Sequence, residues 1–177
     1  MIPKVEIVPV TSPYSEAYKE ALASVTKDNP IVETLAIVHE DESPIYIAND
    51  LADFTAYLED GVTQVTFLAG HFNLRFPSKD SGGVPQLSIS VSNSDNIVGN
   101  YIERVKYSQK AISLVFRPYL SDDTTEPQMD PPLTLQMRDI DLSLFQATGK
   151  AVFARDLRNT MVPKEKYTRT RFSSLGE

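Results

Sequence analysis

The fold class is decided by the stretch Pro85-Gln-Leu-Ser-Ile-Ser-Val-Ser92 and by Asn93-Ser-Asp-Asn-Ile-Val-Gly-Asn-Tyr-Ile-Glu-Arg-Val105, which follows it directly. The first part alternates apolar and polar residues, the two-residue period of a half-buried strand. Residues 92–95 offer hydroxyl and carboxylate side chains that can cap a helix, and the apolar residues after them recur at helical spacing. Strand character returns in Ala111-Ile-Ser-Leu-Val-Phe116. This strand, helix and strand predict a mixed α+β protein.

Outside this block, the sequence predicts one more helix and several strands. Ser12-Pro13 predicts a helix start, with Ser12 as N-cap and Pro13 in the first turn, and Asn29-Pro30 predicts its end. Residues 31–38 and 45–47 predict a hairpin around the turn 39–44, and residues 51–58 predict a loop or a short helix.

The apolar alternation changes phase twice, at Gly70 and near Asp139, and each change predicts a bulge or a turn. We count seven to nine strands and two short helices, with most successive strands close enough for antiparallel hairpins. Phase breaks help a sheet to curl. The expected fold is therefore α+β and β-rich, a mostly antiparallel barrel or sandwich with two short helices.

The 177 residues suit one domain. We expect an extended N-terminal arm over 1–13, a single β-rich domain over 14–162 and a basic C-terminal tail over 163–177. No run approaches 18 apolar residues, so no membrane-spanning helix is predicted. The first residues lack the pattern of a signal peptide, and we expect synthesis in the cytoplasm.

The charge is unevenly distributed along the chain. The net charge of −7 argues against broad nucleic-acid binding, yet residues 155–177 hold six basic and three acidic residues. This tail is either a solvated, frayed terminus or a basic arm that docks on an acidic neighbour. For the second interpretation we predict an interface at Arg169, Arg171 and Phe172, with the arginines on acidic surface and the ring in a pocket.

No motif for catalysis, cofactor binding or metal binding is complete, and we predict no such residues. The absence of cysteine excludes disulfides and thiolate chemistry. His39-Glu40 lacks the second histidine of a zinc signature and is interpreted as part of a solvated turn, and His71 as a structural histidine. The acidic residues of loop 121–132 do not follow the spacing of a calcium loop. Three aromatic residues, Phe67, Phe72 and Phe76, are interpreted as core.

Several collinear segments resemble a family of tailed-bacteriophage proteins of unknown function. The matching elements are His39 with Pro44-Ile-Tyr-Ile-Ala-Asn-Asp50, then Phe72-Asn-Leu-Arg-Phe-Pro77, then the strand Pro85 to Asn93. A short helix over 95–105, an acidic loop after the next strand, and a basic ending with Pro163 and Phe172 follow in the same order. The similarity extends over roughly residues 14–175.

This resemblance implies a structural role in a phage tail tip or baseplate, as an adaptor between the tail tube and the central hub. The implied partners are the distal tail or tube protein, the hub, the tape measure and an NlpC-type peptidase. The family is similar in placement to the minor tail protein L of lambda-like phages. The cysteine-ligated iron–sulfur portion of that protein has no counterpart in this cysteine-free chain. Adaptors of this kind form rings, so a trimer or hexamer is expected, in the virion tail tip after assembly in the host cytoplasm.

Two alternatives come from other functional classes. One is a receptor- or glycan-binding module, in which Tyr46, Tyr57 and Tyr119 stack on sugars. The other is an enzyme, or an accessory partner of a cell-wall peptidase, that uses His71 and nearby carboxylates.

Overall fold

The computed structural model describes residues 12–24, 31–75, 86–93 and 95–153. Over these ranges the chain forms two helices and nine strands. In chain order these are α1 (Glu16–Ala23), β1 (Ile31–His39), β2 (Glu42–Asn49), β3 (Phe54–Tyr57), β4 (Gln64–Gly70), β5 (Phe72–Arg75), β6 (Leu87–Ser92), α2 (Ile97–Val105), β7 (Ser113–Leu120), β8 (Leu133–Leu142) and β9 (Gln146–Phe153).

The nine strands form one sheet in the order β3-β4-β2-β1-β7-β8-β9-β6-β5. All neighbouring pairs are antiparallel except β2 and β4, which run parallel over three residues from Ile47 opposite Leu68. The expected β-rich α+β class, with mostly antiparallel strands and two short helices, is confirmed.

The sheet is buried on both faces at its centre, because β1 alternates between two apolar clusters. Leu35 and Ile37 contribute to a large cluster that also contains the apolar face of α2. Val32 belongs to a smaller cluster on the opposite face, with Phe67 and Tyr119. A strand buried on both sides needs layers above and below it, which gives the molecule a sandwich-like form.

The two ends of the sheet bend over opposite faces of the central strands. The rings of Phe67 in β4 and Tyr119 in β7 have centroids 5.8 Å apart, although two strands lie between β4 and β7 in the sheet. At about 4.8 Å between neighbouring strands, a flat sheet would separate them by about 14 Å. At the other end of the sheet, the ring of Phe72 in β5 contacts the ring of Phe116 in β7, with centroids 6.4 Å apart. Phe72 belongs to the large cluster, and Phe116 packs against it.

Gly70 marks the place where the chain passes from one layer to the other. Strand β4 packs Phe67 into the small cluster, ends beside β2, and is followed after one residue by β5, which packs Phe72 into the large cluster. A Cβ on Gly70 would lie 2.8 Å from Cγ2 of Ile47, so the close approach of β4 to β2 requires a glycine. The predicted phase change at Gly70 is confirmed as this change of layer.

The second phase change is confirmed as a bulge in β8. The pairing of β8 with β9 shifts between Arg138 and Asp141, and Asp139 has a φ of 51°, in the left-handed region. The extra residue reverses the alternation, so Ile140 packs against the same large cluster as Leu135 and Met137.

Three local predictions were wrong. The N-cap of α1 is Ser15 rather than Ser12, because its hydroxyl accepts a hydrogen bond from Tyr18 N at 3.0 Å. Residues 54–57 form the strand β3 rather than a loop or helix, since they pair with β4. The N-cap of α2 is Asn96, which has no side-chain capping bond, while Asn93 Oδ1 accepts from Gly99 N at 2.7 Å.

The helices of the described ranges are too short and too polar to cross a membrane. Helix α1 ends at Ala23 with an extended C-cap at Ser24, so it stops short of the predicted end at Asn29-Pro30, which lies outside the described residues. Residues 1–11 of the expected arm over 1–13 and the tail over 163–177 also lie outside the described residues.

Candidate functional site

The first candidate site is a cleft of about 360 Å³ beside the open edge of β2, which we call the seam cleft. It lies where β4 leaves β2 and where β6 leads into α2, so two structural layers meet at it. Its apolar lining comes from Ile45, Ile47, Leu68, Ile97 and Val98, and two carboxylates, Asp53 and Asp95, line it as well. The arrangement suits an apolar side chain with positive charge beside it.

Hydrogen bonds shape the walls of the seam cleft. Asp53 Oδ1 accepts from Ala69 N at 2.8 Å, which holds the segment before β3 against the end of β4. The buried Asn93 bonds to Gly99 N and, through Nδ2, to Asn96 Oδ1 at 3.2 Å. A Cβ on Gly99 would lie 2.8 Å from Asn93 Nδ2, so this side chain fills the space beside the helix. The cleft is therefore preformed.

The carboxylates of the seam cleft have no cationic partner among the described residues. Ion pairs elsewhere in the described residues involve carboxylates such as Glu16, Glu42, Glu59 and Glu103. Within these residues, neither Asp53 nor Asp95 takes part in one. Both residues are exposed, so their charge faces solvent.

Exposed apolar side chains surround this cleft. The backbone of Phe145 accepts a hydrogen bond from Asn93 N at 2.8 Å, which places the β8–β9 turn beside the cleft, and in this turn Leu144 is 69 % and Phe145 73 % exposed. Leu68 and Ile97 are exposed in the lining itself, and Leu51 is fully exposed next to the bridge between Asp50 and Gly70. Grouped apolar exposure of this kind marks protein interaction surfaces.

The second candidate site is a cleft of about 390 Å³ between α1 and the large cluster, which we call the tyrosine cleft. The rings of Tyr14 and Tyr18 stack with centroids 5.1 Å apart and an interplanar angle of 15°, and Phe116 also lines the cleft. Helix α1 is held there because Ser15 N donates to Gln128 O at 3.0 Å, and Asp130 N donates to Pro13 O at 2.9 Å.

A row of hydrogen-bonded polar side chains crosses the tyrosine cleft. Asn49 Nδ2 donates to Glu33 Oε2 at 3.4 Å, and Asn49 Oδ1 lies 2.8 Å from His71 Nδ1. Because an amide oxygen only accepts, Nδ1 of His71 is the donor, which leaves Nε2 as an acceptor when the ring is neutral. Burial raises the pKa of the Tyr18 hydroxyl, and Tyr14 and the Glu33 carboxylate raise it further. The cleft thus offers donors, acceptors and aromatic rings together.

Comparison with known families gives a match to the model of a domain of unknown function, DUF1833, over residues 17–167. The chain belongs to this family. No curated protein matches the chain. The DUF1833 region contains the whole seam cleft and all of the tyrosine cleft except Tyr14, and it ends before Arg169.

The predicted interface residues Arg169, Arg171 and Phe172 lie outside the described residues. Within the described residues, no three His, Asp or Glu side chains are grouped as metal ligands. In the acidic loop, Asp123 Oδ1 instead accepts hydrogen bonds from the backbone and hydroxyl of Thr125.

Two interpretations of single residues were wrong. His39 is buried rather than part of a solvated turn, and its Nδ1 accepts from Asp41 N at 3.1 Å. Tyr46, Tyr57 and Tyr119 do not form an exposed platform, since Tyr119 is fully buried and Tyr46 packs edge-on to Phe67. The core assignment of Phe67 and Phe72 is confirmed, and Phe76 lies outside the described residues.

Sequence reasoning named His71 but did not predict which residues come together in the two clefts. Glu33, Asn49 and His71 are separated by 16 and 22 positions, a spacing that matches no motif. They meet because β1 and β2 are paired and because β4 returns parallel to β2, a connection that local periodicity does not encode.

Proposed function

We propose that this DUF1833 protein is a structural adaptor in the tail tip of a tailed bacteriophage, between the tail tube and the central hub. The collinear resemblance of roughly residues 14–175 to tail-tip proteins supports this role. Its partners are the distal tail or tube protein, the hub, the tape measure and an NlpC-type peptidase, and it works as a trimeric or hexameric ring in the virion after assembly in the host cytoplasm.

The observation that carries the proposal is the seam cleft with its exposed apolar surroundings. An adaptor needs surfaces that bury apolar area against other proteins, and Leu144 and Phe145 in the β8–β9 turn offer such area. The net negative charge of the chain also suits a channel that DNA passes without adhering.

Native mass spectrometry of the purified protein, alone and with the products of neighbouring genes, tests this role. We expect a trimer or hexamer, or a stoichiometric complex with a hub or tube protein. Leu144→Ser combined with Phe145→Ser should abolish the assembly without lowering the thermal midpoint, because both side chains are exposed. Val62→Ser, an equally exposed change in the β3–β4 turn, is the matched control. A monomer that binds none of these proteins contradicts the proposal.

A second candidate function, a glycan-binding module, is favoured by the tyrosine cleft. Aromatic faces beside a carboxylate, an amide and an imidazole suit the apolar faces and hydroxyl groups of a sugar ring. Titration with oligosaccharides from host cell-wall and surface polysaccharide tests it. We expect binding that is lost in Tyr14→Ala and in His71→Ala and retained in Tyr107→Ala, an exposed tyrosine outside the cleft. Equal behaviour of the three variants contradicts it.

A further inference from the structure

We propose that the seam cleft receives the Arg169–Phe172 segment of a neighbouring copy of this chain. This inference rests on the ring-forming part of the proposed function, and it names the contact that would link one subunit to the next. The ligand is thus a short basic peptide with an aromatic anchor, carried by the protein itself.

Charge complementarity supports this occupant. Asp53 and Asp95 lie at the seam cleft without a cationic partner among the described residues. The sequence Arg169-Thr-Arg-Phe172 presents two guanidinium groups within three positions, in the part of the chain that has a positive net charge. Arginine pairs with carboxylates through two parallel hydrogen bonds, which gives such a contact both strength and direction.

The apolar lining matches the aromatic residue of the segment. Ile47 and Val98 form buried surface in the cleft, while Leu68 and Ile97 are left partly exposed. Phe172 directly follows Arg171, so one segment supplies both an apolar anchor and the charges for the two aspartates. A buried aromatic anchor surrounded by charged contacts is the usual arrangement of an interface hot spot.

The length of chain after β9 allows the segment to reach a neighbouring copy. Gln146 pairs with Ser92 beside the seam cleft, and β9 then runs about 23 Å away from it to Phe153. The following residues up to Arg169 can span about 50 Å, enough to reach another subunit. A segment that binds a different surface of an identical chain makes a heterologous contact, and such contacts form a ring when the rotation between subunits closes.

Cysteine cross-linking tests the contact directly, because the chain has no cysteine of its own. Ala69→Cys, in the lining of the cleft, and Thr170→Cys, within the segment, leave both aspartates, both arginines and Phe172 intact. One variant is mass-labelled, the two full-length proteins are mixed, and mild oxidation is followed by mass spectrometry. We expect a disulfide between the two different chains.

Charge reversal provides the controls for specificity. Asp95→Arg, introduced with Ala69→Cys, should lower the cross-linking yield about tenfold, because like charges then face each other. Arg171→Glu in the partner chain should restore it. Thr125→Cys, on the exposed acidic loop outside the cleft, replaces Ala69→Cys as the position control and should give little product.

Each outcome bears on the proposal. No inter-chain product, or an equal yield with Thr125→Cys, overturns the docking. A double variant that carries both Ala69→Cys and Thr170→Cys and links only within one chain also overturns it. A ring that still forms after deletion of 163–177 overturns the proposed docking and leaves the adaptor role unaffected. A full-length chain that stays monomeric and binds no tail protein contradicts both the docking and the adaptor role.

Discussion

The guanidinium of Arg117 forms a two-pronged ion pair with the carboxylate of Glu59, with 2.5 Å from Nε to Oε1 and 3.3 Å from Nη2 to Oε2. Arg117 lies in the central strand β7 on the face of the small cluster, and its side chain is only 10 % exposed. Glu59 follows β3, so the pair holds the bent end of the sheet over the central strands.

Removing the Glu59 carboxylate should therefore destabilise the fold. We expect Glu59→Ala to lower the free energy of unfolding by about 2–3 kcal/mol, because it leaves a buried guanidinium without its counter-charge. Denaturant unfolding measures the change. Glu103→Ala breaks an exposed pair with Lys106 and should cost less than about 0.5 kcal/mol. Similar losses in the two variants would show that the Arg117 pair has no special role.

Tyr119 should make the protein sensitive to alkaline pH. Its hydroxyl donates to Tyr57 O at 2.8 Å, and burial raises its pKa well above the ordinary value. The unfolded chain releases this proton at about pH 10, whereas the folded chain retains it. The free energy of unfolding therefore falls as the pH rises above about 10.

Tyr119→Phe separates the two contributions of this hydroxyl. It should cost about 1 kcal/mol at neutral pH through the lost hydrogen bond, and it should make the alkaline loss of stability less steep. Unfolding measured at several pH values checks both. Tyr107→Phe, at an exposed tyrosine, should change neither quantity. An unchanged alkaline slope in Tyr119→Phe would refute the argument.

Gly70 should tolerate no side chain. Gly70→Ala places a Cβ about 2.8 Å from Cγ2 of Ile47 and should cost about 1–3 kcal/mol, since β4 must move away from β2. Gly149→Ala is the matched control, because its nearest neighbour is the flexible end of Met137 at 2.9 Å, which can shift. In thermal unfolding, the midpoint temperature of Gly70→Ala should be lower than that of Gly149→Ala. The reverse order would contradict this explanation.

Ser15 should contribute both to helix capping and to the docking of α1. Its hydroxyl accepts from Tyr18 N and donates to Gln128 Oε1 at 2.6 Å. We expect Ser15→Ala to cost about 1–2 kcal/mol. Ser24→Ala, at the exposed end of the same helix, should stay within about 0.5 kcal/mol. Chemical denaturation compares them, and equal stabilities would exclude a docking role for Ser15.

Local patterns were sufficient to predict the elements that depend on neighbours in the chain. The alternation over Leu87–Ser92 and the helical spacing over Ile97–Val105 predicted a strand and a helix at those places. The phase changes at Gly70 and Asp139 each predicted a bulge or a turn, and the strands are interrupted at both places. The β1–β2 hairpin followed from its turn. Each of these depends on the backbone period and on which face is apolar, and both can be read locally.

The tertiary structure alone decided which strands pair across the sheet and which polar groups meet. β3 has four residues and no distinctive period, and it is a strand because β4 supplies its hydrogen-bond partners. Tyr119 is a core residue because β4 bends over β7, and His71 reaches Asn49 because β4 runs parallel to β2.

Sequence composition determined the charge asymmetry and the absence of cysteine, and periodicity determined the β-rich class, since these properties belong to the chain itself. The two clefts arise from contacts between residues far apart in sequence. Asp53, Ile47 and Val98 come together only after the sheet has curled and α2 has packed against it, because burial of apolar area selects that arrangement from many locally equivalent ones.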